Sequence, residues 1–308
     1  MSTPATVIFG EALVDDFVTE QLVGGAPFNV ARHLAAFMAP QLMITRIGSD
    51  RNGAVVRGEF ERFAMSEQGL QIDRMEETGR VLVERRGNAH RFVILPRQAY
   101  DFIDAVLAAD ALKKVAPTAL YFGTLAQRAE RSREALARLW QATDATRFLD
   151  LNLREGQVDR ACVTASLEAA DIVKINEGEL EVLFNWYFEI APGTRLDSEE
   201  VRASCRALLD KFKLDALILT LGHRGSVYFG ADGALIVNRD NPVPPFVIDT
   251  VGAGDGFSAI FLLGRARGWD LELTLARANE FAGAICAVSG AVPRDIGFYD
   301  KWVSRWKN

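Results

Sequence analysis

The sequence has few cysteine and histidine residues. Its 308 residues include only three of each, widely dispersed along the chain: Cys162, Cys205, Cys286, His33, His90 and His223. No CxxC pair occurs, so neither a disulfide framework nor a zinc site is expected. No Ser or Cys motif accompanies the histidines in a way that indicates a catalytic triad. The three thiols instead fit a protein that stays in a reducing cytoplasm.

Long hydrophobic runs and an excess of positive charge are also lacking. The longest apolar runs, such as Ala259 to Leu263, are far shorter than the roughly 20 residues of a membrane span. The first ten residues have neither the basic start nor the apolar core of a signal peptide. The formal net charge of −6 argues against broad binding to nucleic-acid phosphates. We therefore expect a soluble cytoplasmic protein with no nucleic-acid or membrane partner.

Short β-branched segments alternate with helical patterns over most of the chain. The periodicity predicts strands at residues 6–10, 42–47, 119–123, 148–152, 172–175 and 216–221. Helices are predicted at residues 28–34, 53–65, 129–142, 177–184, 199–212, 253–268 and 271–289. This order indicates an α/β fold with three layers, in which helices cover both faces of a mostly parallel sheet. Ligands of such folds bind beyond the carboxyl ends of the strands.

Two segments depart from this alternation. Residues 80–85 and 91–95 flank the pair Gly87-Asn88, and residues 226–229 precede a similar run at 234–237. Both patterns are typical of hairpins. Residues after Gly10 read as rich in turns. We predict a single domain over residues 1–308, with a small β lid formed from about residues 11–25 and 79–96.

The segment Asp249-Thr250-Val251-Gly252-Ala253-Gly254-Asp255-Gly256-Phe257 carries the sharpest chemical signal. Two glycines permit a tight turn, and the helix that follows would expose its first amides as an anion site. An aspartate there makes sense as a base that accepts a proton from a substrate hydroxyl. The alternative is that Asp255 caps the helix. Because the segment is neither GxxxxGK[ST] nor GxGxxG, it does not indicate a P-loop or a dinucleotide site.

Seven motifs in order resemble the ribokinase-like (PfkB) carbohydrate kinase family, and fructokinase-like members in particular. DTVGAGDGF is similar to its C-terminal signature and GGAPFNVARHLA, from Gly24, to its N-terminal signature. The others are GEALVD from Gly10, GSDRNG from Gly48, DLNLR from Asp150, NEGE from Asn176 and TLGHRG from Thr220. The resemblance covers nearly the whole chain. It implies an ATP-dependent sugar kinase with a ribokinase-like fold.

The resemblance implies which residues take part in the phosphoryl transfer and which bind the sugar. Asp255 would be the catalytic base, and the backbone of Gly252, Ala253 and Gly254 would stabilise the phosphoryl group in flight. The sugar-binding set would consist of Asp15, Gly24, Gly25, Asn29 and Arg154. From the residues alone, Asp15 could be a turn residue, Asn29 a polar group at a helix start and Arg154 one half of a surface ion pair.

The resemblance also implies residues for the nucleotide and for cations. ATP would lie against Asn176, Glu179, Thr220, Gly222, Gly225 and Asn279. Glu179 would place Mg²⁺ through water, and Asp249 with the Val251 carbonyl could hold a monovalent cation such as K⁺. From the residues alone, Glu179 could belong to a solvated acidic helix start and Asn279 could be an ordinary helix amide.

The motifs favour fructose as the acceptor, with transfer to a primary hydroxyl. Ketodeoxygluconate, another sugar or a nucleoside remains an alternative, and an acidic sugar would need a cation from Arg154 or from a lid arginine. The lid arginines are Arg80, Arg85, Arg86 and Arg91. A protein of another class, a sugar sensor on a kinase scaffold, is a further alternative. Pairing of exposed lid edges would make a homodimer.

Overall fold

The computed structural model of the protein describes residues 3–16, 21–86, 89–188, 199–239 and 246–306. Its strands are β1 (Pro4–Phe9), β2 (Leu13–Asp16), β3 (Gln21–Gly24), β4 (Gln41–Gly48), β5 (Leu70–Asp73), β6 (Gly79–Arg86), β7 (Ala89–Ile94), β8 (Ala116–Phe122), β9 (Thr146–Asp150), β10 (Ile172–Asn176), β11 (Ala216–Thr220), β12 (Ser226–Gly230) and β13 (Leu235–Asn238). Its α-helices are α1 (Ala26–Ala36), α2 (Arg51–Arg62), α3 (Ala105–Leu112), α4 (Glu130–Ala142), α5 (Arg160–Ala169), α6 (Glu177–Phe188), α7 (Glu199–Phe212), α8 (Ala253–Arg267), α9 (Leu271–Ile285) and α10 (Asp300–Arg305).

A nine-stranded sheet forms the centre of the molecule. Its strand order is β13-β12-β11-β10-β9-β8-β1-β4-β5. The strands from β11 through β5 pair in parallel, and β12 and β13 extend the sheet as an antiparallel edge. The chain order reverses on either side of β1. Such a reversal opens a crevice at the carboxyl ends of the strands, where ligands of this architecture bind.

Helices cover both faces of this sheet and give three layers. On β1, Val7 and Phe9 belong to the hydrophobic core that includes residues of α3 through α7, while Ile8 belongs to the core with α1, α2, α8, α9 and α10. Successive side chains of a strand point to opposite faces, so one strand contributes to both cores. Val7 and Ile8 are both fully buried, as expected for a strand covered on both sides. The predicted fold class is confirmed.

A second, four-stranded sheet lies beside the main sheet, in the order β3-β2-β6-β7. β2 pairs with β3 in antiparallel and with β6 in parallel fashion, and β6 and β7 form the predicted hairpin. The turn predicted at Gly87-Asn88 lies outside the described residues. β2 and β3 lie in the segment after Gly10, for which the sequence predicted turns and part of a β lid but no individual strands. Each has four residues, too few for an alternating pattern to stand out.

Four further elements were not predicted. β5 has four residues, α3 has eight, α5 has ten and α10 has six. α3 reads AVLAADAL and is nearly apolar throughout, so it shows little of the polar face by which an amphipathic helix is recognised. In the described part of the chain, no helix has the length and apolar character needed to cross a membrane.

Candidate active site

One cavity of about 1440 Å³ lies at the carboxyl ends of the parallel strands and reaches the small sheet. It is lined by most residues that the sequence singled out: Asp15, Gly25, Asn29, Arg154, Asn176, Glu179, Thr220, Gly222, Gly225, Val251, Gly252, Ala253, Gly254, Asp255 and Asn279. Gly24 and Asp249 do not line it. The cavity therefore brings together segments from both ends of the chain.

The glycine-rich segment forms the start of α8. Gly252 is the residue before the first helical turn and has a left-handed backbone with φ of 80°, and no side chain caps the helix there. The amide of Ala253 donates to the carbonyl of Thr250 at 3.3 Å. Among the described residues, no acceptor is bonded to the amides of Gly254 and Asp255. These two N–H groups, at the positive end of the helix, are free to bind an anion.

Asp255 lies in the first turn of α8, so the alternative that it caps this helix is wrong. Its Oδ2 accepts a hydrogen bond of 2.7 Å from Nδ2 of Asn29, which is 226 residues away in the sequence. Asn29 lies in the first turn of α1 and is buried. The contact therefore joins the starts of two helices, and it fixes the direction of the Asp255 carboxylate.

A buried arginine that sequence reasoning missed holds Asn29 in place. Arg32 donates from Nη2 to Oδ1 of Asn29 at 2.6 Å, and from Nη1 to Oε2 of Glu59 at 2.6 Å. Because Oδ1 of Asn29 accepts this bond, its amide NH₂ is left to face Asp255. Withdrawal from water lowers the pKa of Arg32, and the Glu59 carboxylate opposes that shift. The spacing Asn-x-x-Arg on one helix face was the available signal.

The environment of Asp255 suits a proton acceptor. Burial raises the pKa of its carboxyl group from 3.8 to about 6, and the charge of Asp150 adds to the increase. The hydrogen bond from Asn29 and the charges of Lys174 and Arg154 oppose it. A carboxylate with a pKa of about 6 is ionised at neutral pH yet remains a better base than a solvated aspartate.

The small sheet supplies another wall of the cavity. Asp15 lies on β2, and burial raises the pKa of its carboxyl group to about 6, against the opposing charges of Arg154 and Arg32. Gly24 packs under this carboxylate, since a Cβ there would come within 2.5 Å of Oδ2 of Asp15. Gly25 has φ of 99°, and a Cβ would meet the carbonyl oxygen of Glu11 at 2.5 Å. Gly24 thus lets β3 pass close to the Asp15 side chain, and Gly25 lets the start of α1 lie close to the segment before β2.

Glu11 follows β1 and was quoted only as part of a motif. Its side chain is buried, lines the cavity, and has an Oε2 atom with no hydrogen-bond partner among the described residues. Burial raises the pKa of the Glu11 carboxyl group to about 7, although the charge of Arg154 opposes the shift. Three carboxyl groups that line the cavity, those of Glu11, Asp15 and Asp255, therefore have pKa values above the ordinary range.

A buried ion pair underlies the glycine loop. Nζ of Lys174, on β10, donates to both carboxylate oxygens of Asp150 at 2.8 Å, and both residues line the cavity. The predicted DLNLR motif thus contains a residue that binds a neighbouring strand. Nothing in the motif pointed to Lys174, because the pairing depends on which strands lie side by side.

Asn176 and Glu179 join the end of β10 to α6. The amide of Glu179 donates to Oδ1 of Asn176 at 3.0 Å, and Oε2 of Glu179 accepts from the amide of Asn176 at 2.9 Å. Oε1 of Glu179 also accepts from the amide of Leu153. Glu179 is buried, so the alternative of a solvated helix start does not apply to it. Burial raises the pKa of its carboxyl group, and the backbone amides oppose that shift.

The remaining residues predicted to bind the nucleotide also line the cavity. Thr220 ends β11, and its hydroxyl donates to the carbonyl of Ile175 at 3.2 Å. Gly222 and Gly225 have positive φ angles of 58° and 95°. Asn279, on α9, is buried and donates to the hydroxyl of Ser226 at 3.0 Å. Its amide oxygen is not engaged in that bond.

Arg154 is exposed and lines the cavity near the acidic groups. Its side chain shows no ion pair or hydrogen bond with the described residues, so the alternative of a surface ion pair has no support there. Its charge lowers the pKa values of Glu11, Asp15 and Asp255 alike. Of the lid arginines, Arg80 lies 3.9 Å from a carboxylate oxygen of Asp16; the side chains of Arg85, Arg86 and Arg91 lie outside the described part.

The predicted cation residues flank the glycine loop. Oδ1 of Asp249 accepts from the amide of Val251 at 3.0 Å. The amides of Ile248 and Asp249 donate to the carbonyl of Cys286, at the end of α9. In the described ranges, no group of three or more His, Cys, Asp or Glu side chains is arranged to hold a metal ion.

Comparison of the sequence with known proteins identifies its family. The sequence profile described as "pfkB family carbohydrate kinase" matches residues 7–295. Fructokinase-1 of Oryza sativa subsp. japonica is 28% identical over 319 residues, which cover 93% of each chain. The match spans nearly the whole length of both proteins.

Two solved structures share the fold. The crystal structure of a fructokinase with bound ATP from Xylella fastidiosa superposes with a TM-score of 0.80 over 99% of both chains, at 19% identity. That of a 2-dehydro-3-deoxygluconokinase from Thermotoga maritima gives 0.81 over 98% of this chain and 99% of that one, at 17% identity. The profile match over almost the entire sequence, on this fold, shows that the chain belongs to the pfkB family of carbohydrate kinases, phosphotransferases that use an alcohol group as acceptor.

Proposed function

We propose that this protein transfers the γ-phosphate of ATP to a primary hydroxyl of fructose. The observation that carries the proposal is the position of Asp255. Its carboxylate lies in the first turn of α8, beside free backbone amides, in the cavity shared with Asp15 and Asn29. A protein named fructokinase among the relatives supports fructose as the acceptor.

In the proposed reaction, Asp255 accepts the proton of the attacking hydroxyl as the oxygen–phosphorus bond forms and the bond to ADP breaks. The amides of Gly254 and Asp255 would bind the oxygens of the phosphoryl group, with Gly252 and Ala253 shaping the turn. Asp15 and Asn29 would hold further hydroxyls of the sugar. Positioning and charge stabilisation supply most of the catalysis in phosphoryl transfer.

The nucleotide side would use the remaining predicted residues. We propose that ATP lies along Thr220, Gly222, Gly225 and Asn279. Carboxylate and amide oxygens are the hard ligands that Mg²⁺ prefers, and Asn176 and Glu179 offer them at the cavity wall. Mg²⁺, held through water, would neutralise charge on the phosphates. A monovalent cation such as K⁺ would contact the carbonyl of Val251, with Asp249 fixing that turn.

Replacement of the base tests the proposal. The variant D255N keeps the shape of the side chain but cannot accept the proton, so kcat should fall by about 10²–10⁴-fold. ADP release should be measured with a panel of sugars and nucleosides and MgATP. For the wild type, kcat/KM should fall as pH drops through about 6, because Asp255 must be ionised. Undiminished turnover by D255N would remove Asp255 from the mechanism.

A second acceptor is favoured by Arg154. This guanidinium has no partner among the described residues and faces the acidic groups of the acceptor pocket. The carboxylate of an acidic sugar such as ketodeoxygluconate would supply a partner for this guanidinium. The same panel separates the acceptors: if the sugar is acidic, R154Q should raise its KM while leaving that of fructose nearly unchanged. Sugar binding without ADP formation would instead indicate a sensing protein.

We also propose that the protein is a cytoplasmic homodimer. All three cysteines are free thiols, which suits a reducing compartment. β3 and β7 are the outer strands of the small sheet, and exposed strand edges favour pairing with a second chain. Light scattering at micromolar concentration should give twice the monomer mass of 33.9 kDa. A monomer would contradict the pairing of lids.

A further inference from the structure

The carboxylate of Asp150 is saturated with hydrogen bonds. It accepts two from Nζ of Lys174, one of 2.8 Å from the hydroxyl of Ser258 on α8, and one of 3.1 Å from the hydroxyl of Tyr121 on β8. All four side chains are buried. Neighbouring strands and α8 therefore hold the Lys174 ammonium group in one position, with two of its three N–H donors engaged.

The third donor is not bonded to any described residue, and its surroundings point to a ligand. Lys174 lines the cavity. A Cβ placed on Gly254 would meet a single group within 4 Å, the Nζ atom of Lys174 at 3.4 Å. The ammonium group thus lies directly beside the glycine loop, where two free amides already face the cavity. The charge of Lys174 also acts on the Asp255 carboxyl group.

A buried ion pair is a poor means of stabilising a fold. The cost of removing both charges from water often exceeds their attraction, and apolar residues of similar size do as well or better. Three side chains that fix one ammonium ion beside an anion-binding helix start make more sense as preorganisation. A fixed positive charge stabilises the charge that develops in a transition state without having to reorient.

We propose that Lys174 is a further catalytic residue, whose free N–H contacts an oxygen of the phosphoryl group during transfer. Asp150 is its positioning residue. The ammonium group stays protonated throughout and forms no covalent bond. This inference rests on the proposed kinase reaction, and it adds a side-chain cation to the backbone amides of Gly254 and Asp255.

The rival explanation is that Lys174 serves only to neutralise Asp150. The two explanations predict different turnover rates for a variant in which both charges are removed. K174M leaves an unpaired buried carboxylate, which could disturb the fold by itself. The double variant D150N/K174M has no unpaired charge, and the amide oxygen introduced by D150N can still accept from the hydroxyls of Tyr121 and Ser258.

The experiment compares wild type, K174M, D150N/K174M and the control K113M. Lys113 forms a surface pair with Asp110 and is 74% exposed, so its loss should change no rate. For each protein, kcat, both KM values and thermal unfolding are measured with the acceptor that the panel identifies. Inhibition by MgADP with aluminium fluoride, a mimic of the phosphoryl group in flight, is compared with inhibition by MgADP alone.

If Lys174 is catalytic, both Lys174 variants lose about 10²–10³-fold in kcat, the effect of removing one such donor. KM values should change by less than about threefold, and aluminium fluoride should no longer tighten the binding of MgADP. The double variant should remain slow even where its unfolding temperature returns to that of the wild type. Turnover by D150N/K174M near the wild-type rate would overturn the inference alone. An inactive wild type would overturn the proposed function together with it.

Discussion

Three carboxyl groups that line the cavity, those of Asp255, Asp15 and Glu11, all have pKa values above their ordinary ones. Burial raises the pKa values of Asp255 and Asp15 to about 6 and that of Glu11 to about 7. Each ionised group also disfavours ionisation of the others. The residues proposed for proton transfer and sugar binding, Asp255 and Asp15, are therefore held at a cost to folding, as is common at active sites.

Glu11 allows this cost to be measured. Its pKa is about 7 in the folded protein and ordinarily 4.5, so its contribution to stability is fully present below 4.5 and is lost as pH rises to about 7. The loss amounts to roughly 3 kcal/mol. Since E11Q has no proton to lose, its free energy of unfolding should exceed that of the wild type by up to that amount at pH 8, and by little at pH 4.5. Urea unfolding at both pH values measures the difference.

The control for this comparison is E134Q on α4, where the side chain is exposed and the substitution should change stability little at either pH. A loss of stability in E11Q at pH 8 would contradict the prediction. It would mean that Glu11 is ionised and paired in the folded protein.

The residues of the site could be predicted only where a motif carried them. Asp15, Asn29 and Asp255 each lie in a recognisable motif, and the structure brings them to one cavity. Arg32 and Lys174 could not be found in this way, because their significance depends on partners. Lys174 matters through Asp150, on the adjacent strand. Which strands are adjacent is a property of the sheet and is not encoded in local spacing.

At the scale of elements, the start of α8 is the structure on which the proposed chemistry depends. Most helices begin with a side chain that satisfies the first amides. α8 has Gly252 at this position and no side-chain cap, so its amides stay available. The left-handed backbone of Gly252 also turns the chain into the helix. A Cβ at this residue would overlap with Ala291, which packs against the loop.

Both ends of α8 carry a left-handed glycine, and this gives a matched pair of variants. Gly252 has φ of 80° and Gly268 has φ of 70°. G268A should cost about 1–2 kcal/mol from backbone strain alone, since nothing lies within 4 Å of its Cβ. G252A should cost more, because its Cβ also overlaps Ala291, and it should lose activity as the loop shifts. Chemical unfolding and kcat measure the two effects; equal stability and full activity in G252A would contradict this account.

The sequence predicted the long elements better than the short ones. The parallel strands of the main sheet and the helices between them were mostly visible as hydrophobic patterns. β2, β3 and β5, with four residues each, gave no such pattern. β2 is nevertheless the strand that carries Asp15. β2 pairs with β6, which begins more than 60 residues further along the chain. Local sequence patterns do not indicate which distant strands will pair.

At the scale of the whole molecule, the cavity depends on two sheets. Asp15 and Val81 line it from the small sheet, while Lys174 and Thr220 line it from strands of the main sheet. An acceptor that contacts Asp15 and Asp255 together would bridge the small sheet and the start of α8. A ligand that binds only the folded protein stabilises it by mass action, so binding at the two halves of the cavity can be read separately from thermal unfolding.

We expect fructose and MgADP each to raise the unfolding temperature of the wild type. At a concentration of 100 times Kd, the stabilisation is about 2.7 kcal/mol, which corresponds to a shift on the order of 5 °C. The variant D15N should lose the shift with fructose, because a carboxylate acceptor for its hydroxyls is gone. It should keep the shift with MgADP, whose proposed residues lie on β11 and the turn after it, on α9, and at the junction of β10 and α6. Loss of both shifts would mean that Asp15 supports the cavity as a whole, and retention of both would remove it from the sugar site.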